Sequence, residues 1–299
     1  MLTEEQKQRY YEDGVLVLKG LIAPEKLQEY RDAYERMVEK VRAYPGREKY
    51  NARIIGAKSK NKIETKSAAT VAQGNTEQEY WGADWLLHPD LYEPAFTDYL
   101  ENEELISSLK SLLGSDIGIY GLKALWSPVN VNYDLAWHRD GKQEVYSTDG
   151  GIPPGWLQFN TALYREESFR VVKGSHRRPL TDEENAKYGT VEEVAGEEVC
   201  VLEAGEVLFM HQAVLHRGKA QAEMNGGSKR RAFHYILART DFAVGRRRLE
   251  QFKGWYEELG LAGKLGPTAK PLFENFFAWE GRAFDDASYP YPEFKKEDY

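Results

Sequence analysis

Between residues 117 and 239, five short apolar or alternating runs follow one another with turn residues between them: IGIYGLKALW (117–126), WLQFNTALY (156–164), FRVVKGSH (169–176), EEVCVLEAGEVLFMH (197–211) and RRAFHYILAR (230–239). No stretch between them carries a helical period. Parallel neighbours in a sheet need a long crossover, usually a helix, so a succession without helices points to antiparallel pairing. The expected fold is mainly β, a sandwich or jelly roll.

Helical signals gather on either side of that core. LTEEQKQRYYEDG opens with Thr3 and, three residues on, Gln6, a capping-box pattern, and Gly14 closes the helix. VLVLKGLI (15–22) is a short β-rich run. After Ala23-Pro24, Leu27, Tyr30, Tyr34, Met37, Val38 and Val41 recur at helical spacing until Pro45-Gly46. Residues 46–80 are polar and show no sustained period, which reads as a solvated insertion, with a loop or lid as the other reading. NEELISSLKSLLG (102–114) and RRRLEQFKGWYEELG are again helical, and an aromatic- and proline-rich end follows. With 299 residues and no linker or repeat, the expectation is a single domain: a helical N-terminal part (1–114), a β core (about 115–240) and a C-terminal helical and aromatic extension (241–299).

Hydrophobic residues make up 41% of the chain, enough for a packed interior and unlike a disordered segment. A net charge of −8 argues against a nucleic-acid role, because neutralising phosphates needs a basic surface. The single cysteine, Cys200, cannot form an intrachain disulfide. Nothing at the N-terminus resembles a signal peptide's apolar core, and no apolar run approaches the roughly 18 to 20 residues of a membrane span. The expectation is a cytoplasmic protein with no nucleic-acid or membrane partner; the sequence says nothing of its oligomeric state.

Within AWHRDGKQEV (136–145), His138 and Asp140 stand two positions apart. On an extended strand their side chains leave the same face, so an imidazole and a carboxylate can converge on one point. That is metal-ligand geometry if a third ligand comes from a later strand. Of the six histidines, His211 and His216 in GEVLFMHQAVLHRG remain as candidates for it. A lone H-x-D is weak, since a structural histidine is the commoner outcome. The sequel is more specific: a turn-forming AGE, an apolar strand, His216 followed by Gly218, and then the arginine-bearing RRAFHY.

Together with VVKGSH and the opening helix, DG-strand and second helix, this order resembles the phytanoyl-CoA dioxygenase family of iron(II) and 2-oxoglutarate-dependent oxygenases. The likeness covers about 1–240, with 45–95 as a variable insertion. It implies a double-stranded β-helix, a cupin-like jelly roll with buttressing helices. It further implies iron(II) held by His138, Asp140 and His216, with 2-oxoglutarate and dioxygen as cosubstrates. His216 is preferred to His211 because the family's distal histidine stands about eleven residues after the glycine that Gly205 matches. The cosubstrate's arginine falls on Arg230, with Arg231 as the alternative, since a slip of one residue reverses which of them faces inward. Lys123 in YGLKALW fits a further cosubstrate position, the other reading being a strand lysine with its head in solvent. Lys173 replaces the family's proline before Gly-Ser-His, and Gly218 stands where some members have a serine.

The residue types suit that chemistry. Two neutral imidazoles and one carboxylate leave three coordination positions open, as a non-haem iron oxygenase requires. A guanidinium fork binds a carboxylate through two parallel hydrogen bonds, which lysine cannot reproduce. The implied reaction is hydroxylation of a C–H bond of a metabolite with release of succinate and carbon dioxide. Two other readings stay open: a redox-neutral cupin-like metalloenzyme and a non-catalytic metal-binding jelly roll. Tyr133, Trp137 and Trp156, with Trp126, flank the site in sequence and are candidates to line a substrate pocket, although aromatics near strands more often belong to the core.

Overall fold

The structure is a computed structural model that describes residues 1–43, 57–59, 80–128, 132–140, 155–223, 229–240 and 246–278. Two sheets, antiparallel at every paired strand, form its centre. The larger contains β1 (Val15–Leu18), β2 (Ala57–Ser59), β3 (Tyr80–Ala83), β4 (Ile117–Trp126), β6 (Trp156–Ala162), β9 (Val207–His211) and β11 (Arg231–Arg239), in the order β1-β9-β6-β11-β4-β3-β2. The smaller contains β5 (Tyr133–Asp134), β7 (Glu166–Val172), β8 (Glu197–Leu202) and β10 (Leu215–Ala220), in the order β5-β10-β7-β8. Jelly-roll architecture of the cupin-like kind, with buttressing helices, accounts for this arrangement.

Between the sheets, Val15, Ala162, Phe169, Val171, Leu202, Leu208, Met210 and Val214 form one buried cluster. Helices cover the outer face of the larger sheet. α1 (Glu4–Asp13) starts with the capping box of Thr3 and Gln6, and α2 (Pro24–Ala43) buries Leu27, Tyr30, Ala33, Tyr34, Met37, Val38 and Val41. That stripe meets the outward side chains of β11, with Tyr30 and Tyr34 packing on Phe233. α3 (Pro94–Asp98) and α4 (Glu103–Leu113) extend the same layer, and the short α5 (Asp182–Lys187) follows β7.

The strand pattern of the sequence maps onto this frame with specific differences. The run 197–211 is two strands in different sheets, because Ala204-Gly205 turns the chain, with Gly205 at φ 88°. β7 begins at Glu166 and ends at Val172, while Gly174, at φ 72°, leads into a single 3-10 turn over Ser175–Arg177. From the polar insertion, residues 57–59 and Tyr80 lie in β2 and β3, which pair with each other and through β3 with β4; the rest of 46–80 lies outside the described residues. The C-terminal region holds α6 (Arg246–Glu258) and a second helix, α7 (Lys270–Phe277), that the aromatic-rich sequence does not announce.

Gly14 links two of the sequence motifs. A Cβ there would stand 2.5 Å from His176 Nδ1, and its φ of 77° is left-handed. The helix-ending glycine and the Gly-Ser-His turn are thus one packing unit, with His176 Nε2 on the Tyr11 carbonyl at 2.9 Å.

Candidate metal centre

After β5 the chain runs alongside β10. His138 N–H donates to the His216 carbonyl and His216 N–H to the His138 carbonyl, both at 3.0 Å, and Asp140 N–H donates to the Gln212 carbonyl at 3.0 Å. These main-chain bonds fix the H-x-D segment against the strand that carries the distal histidine. One ligand atom from each of His138, Asp140 and His216 lies within 4.8 Å of the others. His216 Nε2 stands 3.3 Å and His138 Nε2 3.7 Å from the carboxylate oxygens of Asp140. The two rings are 4.3 Å apart between centroids.

The other nitrogen of each ring is already committed. His138 Nδ1 donates to the Ala136 carbonyl at 2.8 Å and His216 Nδ1 to the Val214 carbonyl at 3.0 Å. This assignment follows from the hydrogen-bond network, since a carbonyl can only accept. Both Nε2 atoms therefore present lone pairs toward Asp140, the tautomer a metal ion needs. Asp140 receives a hydrogen bond from Gln158 Nε2 of β6. Without a metal, burial pushes the Asp140 carboxyl up, but the positive charge of His216 and His138 in their protonated forms, Lys123 and the Gln158 bond outweigh it and hold the group below the usual carboxylate range. Two nitrogens and one anionic oxygen on one side of a point suit a divalent transition metal with open positions opposite.

His211 lies outside this cluster. It is 5% exposed, its Nδ1 accepts from Ala213 N–H, and its ring packs 4.8 Å from that of His176. Burial pulls His211 down to about 3 and His176 to about 4. Neutral at ordinary pH, they form a buried pair behind the centre.

The two arginines divide by strand parity. Arg231 reaches the helical layer, donating to Glu35 of α2 and to Glu223. Arg230 turns the other way, 3% exposed, its Nε 2.8 Å from Glu166 Oε2 across the gap between the sheets. Lys123 sits opposite His234 in register and has its Nζ 3.5 Å from Asp84 Oδ1.

The aromatic candidates part company. Trp137 is fully buried with Val172, Val194 and Leu215, its Nε1 donates to the Glu192 carbonyl, and Arg217 covers its ring. It alternates with His138 and so leaves the face opposite to that of the imidazole. Trp126 likewise packs outward on Tyr34. Trp156 shares the face of Gln158 and Asn160 by alternation. Tyr133 pairs with Ala220 in β5, and its side chain lies outside the described residues.

Three polar residues of this cavity face escape the sequence reading: Gln158, Asn160 and His234. His234 Nδ1 donates to Asn160 Oδ1 at 2.6 Å, and Lys123, His234 and Asn160 lie side by side across β4, β11 and β6. For Gln158 and Asn160 a signal was present in WLQFNTALY, where the two alternate with apolar residues.

No curated protein matches the chain in sequence. Solved structures do match in fold. AviO1 from Streptomyces viridochromogenes Tue57 is 17% identical with a TM-score of 0.57, over 80% of this chain and 96% of that one. HygX from Streptomyces hygroscopicus, crystallised with nickel, 2-oxoglutarate and hygromycin B, is 14% identical with a TM-score of 0.55, over 81% and 89%. EctD from S. alaskensis, with 2-oxoglutarate and 5-hydroxyectoine, is 13% identical with a TM-score of 0.55, over 80% and 77%. The family model for phytanoyl-CoA dioxygenase (PhyH) matches residues 10–231, which takes in the end of the opening helix, the H-x-D pair, the distal histidine and the arginine pair. On that match the chain belongs to the phytanoyl-CoA dioxygenase family, whose oxygenases work with iron(II), 2-oxoglutarate and dioxygen.

Proposed function

We propose that this oxygenase hydroxylates a C–H bond of a small-molecule metabolite, with His138, Asp140 and His216 as its iron ligands. The observation that carries the assignment is the convergence of three ligand atoms within 4.8 Å, with both imidazole Nδ1 atoms occupied by carbonyls. When bound, iron(II) would let dioxygen serve as the four-electron oxidant, two electrons coming from decarboxylation of 2-oxoglutarate to succinate and carbon dioxide and two from the substrate C–H bond. The chain supplies position. Gln158 orients the Asp140 carboxylate, and Ala136 and Val214 hold the imidazole tautomers. Arg230, inward-facing and buried, offers its guanidinium to the remote carboxylate of 2-oxoglutarate, and Lys123 adds a second positive charge on the cavity face. Trp156 is the aromatic candidate for the substrate wall. Small-molecule substrates accord with the hygromycin B and 5-hydroxyectoine bound in HygX and EctD.

The test is anaerobic titration of the protein with iron(II) and then 2-oxoglutarate, followed by air and a pool of metabolites. A visible metal-to-ligand charge-transfer band, succinate release, and a product one oxygen atom heavier than its precursor are expected. A redox-neutral enzyme would instead turn over without air, and a binding protein would release no succinate; either result sinks the proposal. Succinate with a product lacking the added oxygen would keep the oxygenase and overturn hydroxylation.

A further inference from the structure

The anion beside Arg230 is unusual in where it sits. Glu166, the first residue of β7, is 1% exposed, and only one of its carboxylate oxygens is engaged: Oε2 takes the Arg230 Nε hydrogen bond at 2.8 Å. Oε1 has no hydrogen-bond partner among the described residues. A buried carboxylate oxygen left without a donor costs free energy comparable to a lost hydrogen bond, so this is a poor resting place for a full negative charge. The flanking Arg165 and Glu167 are paired with each other in solvent. Among the described residues, the charged or titratable groups facing Glu166 are Arg230 and, from α2, the Tyr34 phenol, which is affected by both. Tyr34 donates its proton to the Leu125 and Ala232 carbonyls. Arg231, on the far side of that ring, is committed to Glu35 and Glu223.

We infer that Glu166, when ionised, is a built-in stand-in for the cosubstrate's remote carboxylate, neutralising Arg230 before 2-oxoglutarate binds and taking up a proton from solvent when it arrives. The inference rests on the reading of Arg230 as the cosubstrate's anchor. Charge bookkeeping motivates it. Among the described residues the Arg230–Glu166 ion pair is one cation and one anion when Glu166 is ionised; a second carboxylate at Arg230 would leave a buried negative charge that this pair does not compensate, costly at low dielectric. Protonating Glu166 removes that charge and turns the carboxyl into a hydrogen-bond donor, so two carboxyl groups share one guanidinium and one proton. Burial pushes the Glu166 carboxyl up to about 8, so the proton is taken up on binding at and above that pH, while below it most of the carboxyl already carries its proton. Burial also pulls Arg230 down, to about 10, which leaves it charged at neutral pH.

The experiment is calorimetric titration of 2-oxoglutarate into nickel-loaded protein between pH 6.5 and 9, in buffers of different ionisation enthalpy, for wild type, Glu166→Gln and Arg230→Leu. Because the free protein's Glu166 is ionised above about pH 8, wild-type affinity should weaken there by about tenfold per pH unit relative to Glu166→Gln. Wild type should also take up most of one proton more than Glu166→Gln at pH 9, and little more at pH 6.5. The proton count in wild type alone supplies the same test should the variant not fold. Parallel affinity profiles and equal proton counts, with Arg230→Leu still weakening binding, would mean that Glu166 stays ionised and the pair is structural. Unchanged binding in Arg230→Leu would instead remove the anchor assignment and this inference with it.

Discussion

His138 and His216 each spend their Nδ1 proton on a main-chain carbonyl two residues back, so the centre depends on local backbone geometry as much as on the side chains themselves. Replacing either with Ala should lower iron affinity by more than the roughly 10- to 100-fold that loss of an outer-shell partner costs, while the circular dichroism and melting point of the metal-free protein stay near wild type. An iron-replete His216→Ala protein would shift the ligand role elsewhere. The buried pair His211 and His176 makes a different prediction. Their folded-state values of about 3 and 4 lie below the ordinary histidine value, so the unfolded chain binds protons first as the pH falls. Stability is then complete above about pH 6.5 and declines toward pH 4. At pH 5 the two histidines together cost about 4 kcal/mol. Urea unfolding of the metal-free protein at pH 7 and pH 5 should show that loss, and His211→Asn should remove about half of it. Of these residues the H-x-D pair was legible, because alternation alone puts both side chains on one face. Glu166 was not: REES reads as an ordinary solvated turn, and what buries it is an opposite sheet whose distance in sequence no local pattern encodes. The choice between Arg230 and Arg231 was undecidable for a related reason, since the two are adjacent at the start of the same strand and only register separates them.

At the scale of elements, strongly periodic segments read correctly and short or composite ones did not. β4 runs over the same residues as its apolar run, and α4 buries the leucine-rich face its spacing announces. The run 197–211 shows only an apolar stretch with a polar interruption, and whether the two halves share a sheet depends on the turn at Ala204-Gly205. α7 is eight residues with Pro271 in its first turn, a length at which composition outweighs period. The junction of α1 and β1 gives a prediction at this scale. Gly14→Ala imposes a strained φ and drives a Cβ to 2.5 Å from His176 Nδ1, so thermal unfolding should show a loss of about 2 kcal/mol or more. Adding His176→Ala should recover the steric part and leave the backbone part, making the double variant better than the sum of its singles. Strict additivity would mean that the ring moves aside freely and the two motifs are not one packing unit.

For the whole molecule, the family match and the hydrophobic core end in different places. The match stops at residue 231, yet Leu249, Phe252, Tyr256, Leu261, Leu272, Phe273 and Phe276 are all buried in the same cluster as the interior of the larger sheet and its helices. The contact is close at the backbone: a Cβ on Gly118 of β4 would stand 3.0 Å from the Phe276 nitrogen, and Asn275 Nδ2 donates to the Ile117 carbonyl at 2.8 Å. Glu101, ahead of α4, accepts from the main-chain N–H groups of Gly266 and Thr268 at 2.8 and 3.1 Å. At roughly 1.5 to 3 kcal/mol for each large apolar side chain, those seven residues contribute on the order of 10 to 20 kcal/mol of burial before the entropy of ordering them is subtracted. That gross figure matches or exceeds the whole net stability of a typical domain, about 5 to 15 kcal/mol. Truncation after Thr240 should therefore uncover the outer face of β4 and abolish cooperative unfolding, even though every proposed iron ligand and both arginines remain in the chain. A truncated protein that melts cooperatively near the wild-type temperature and binds iron would show that the jelly roll and its N-terminal helices are self-sufficient, with the C-terminal helices only resting on them.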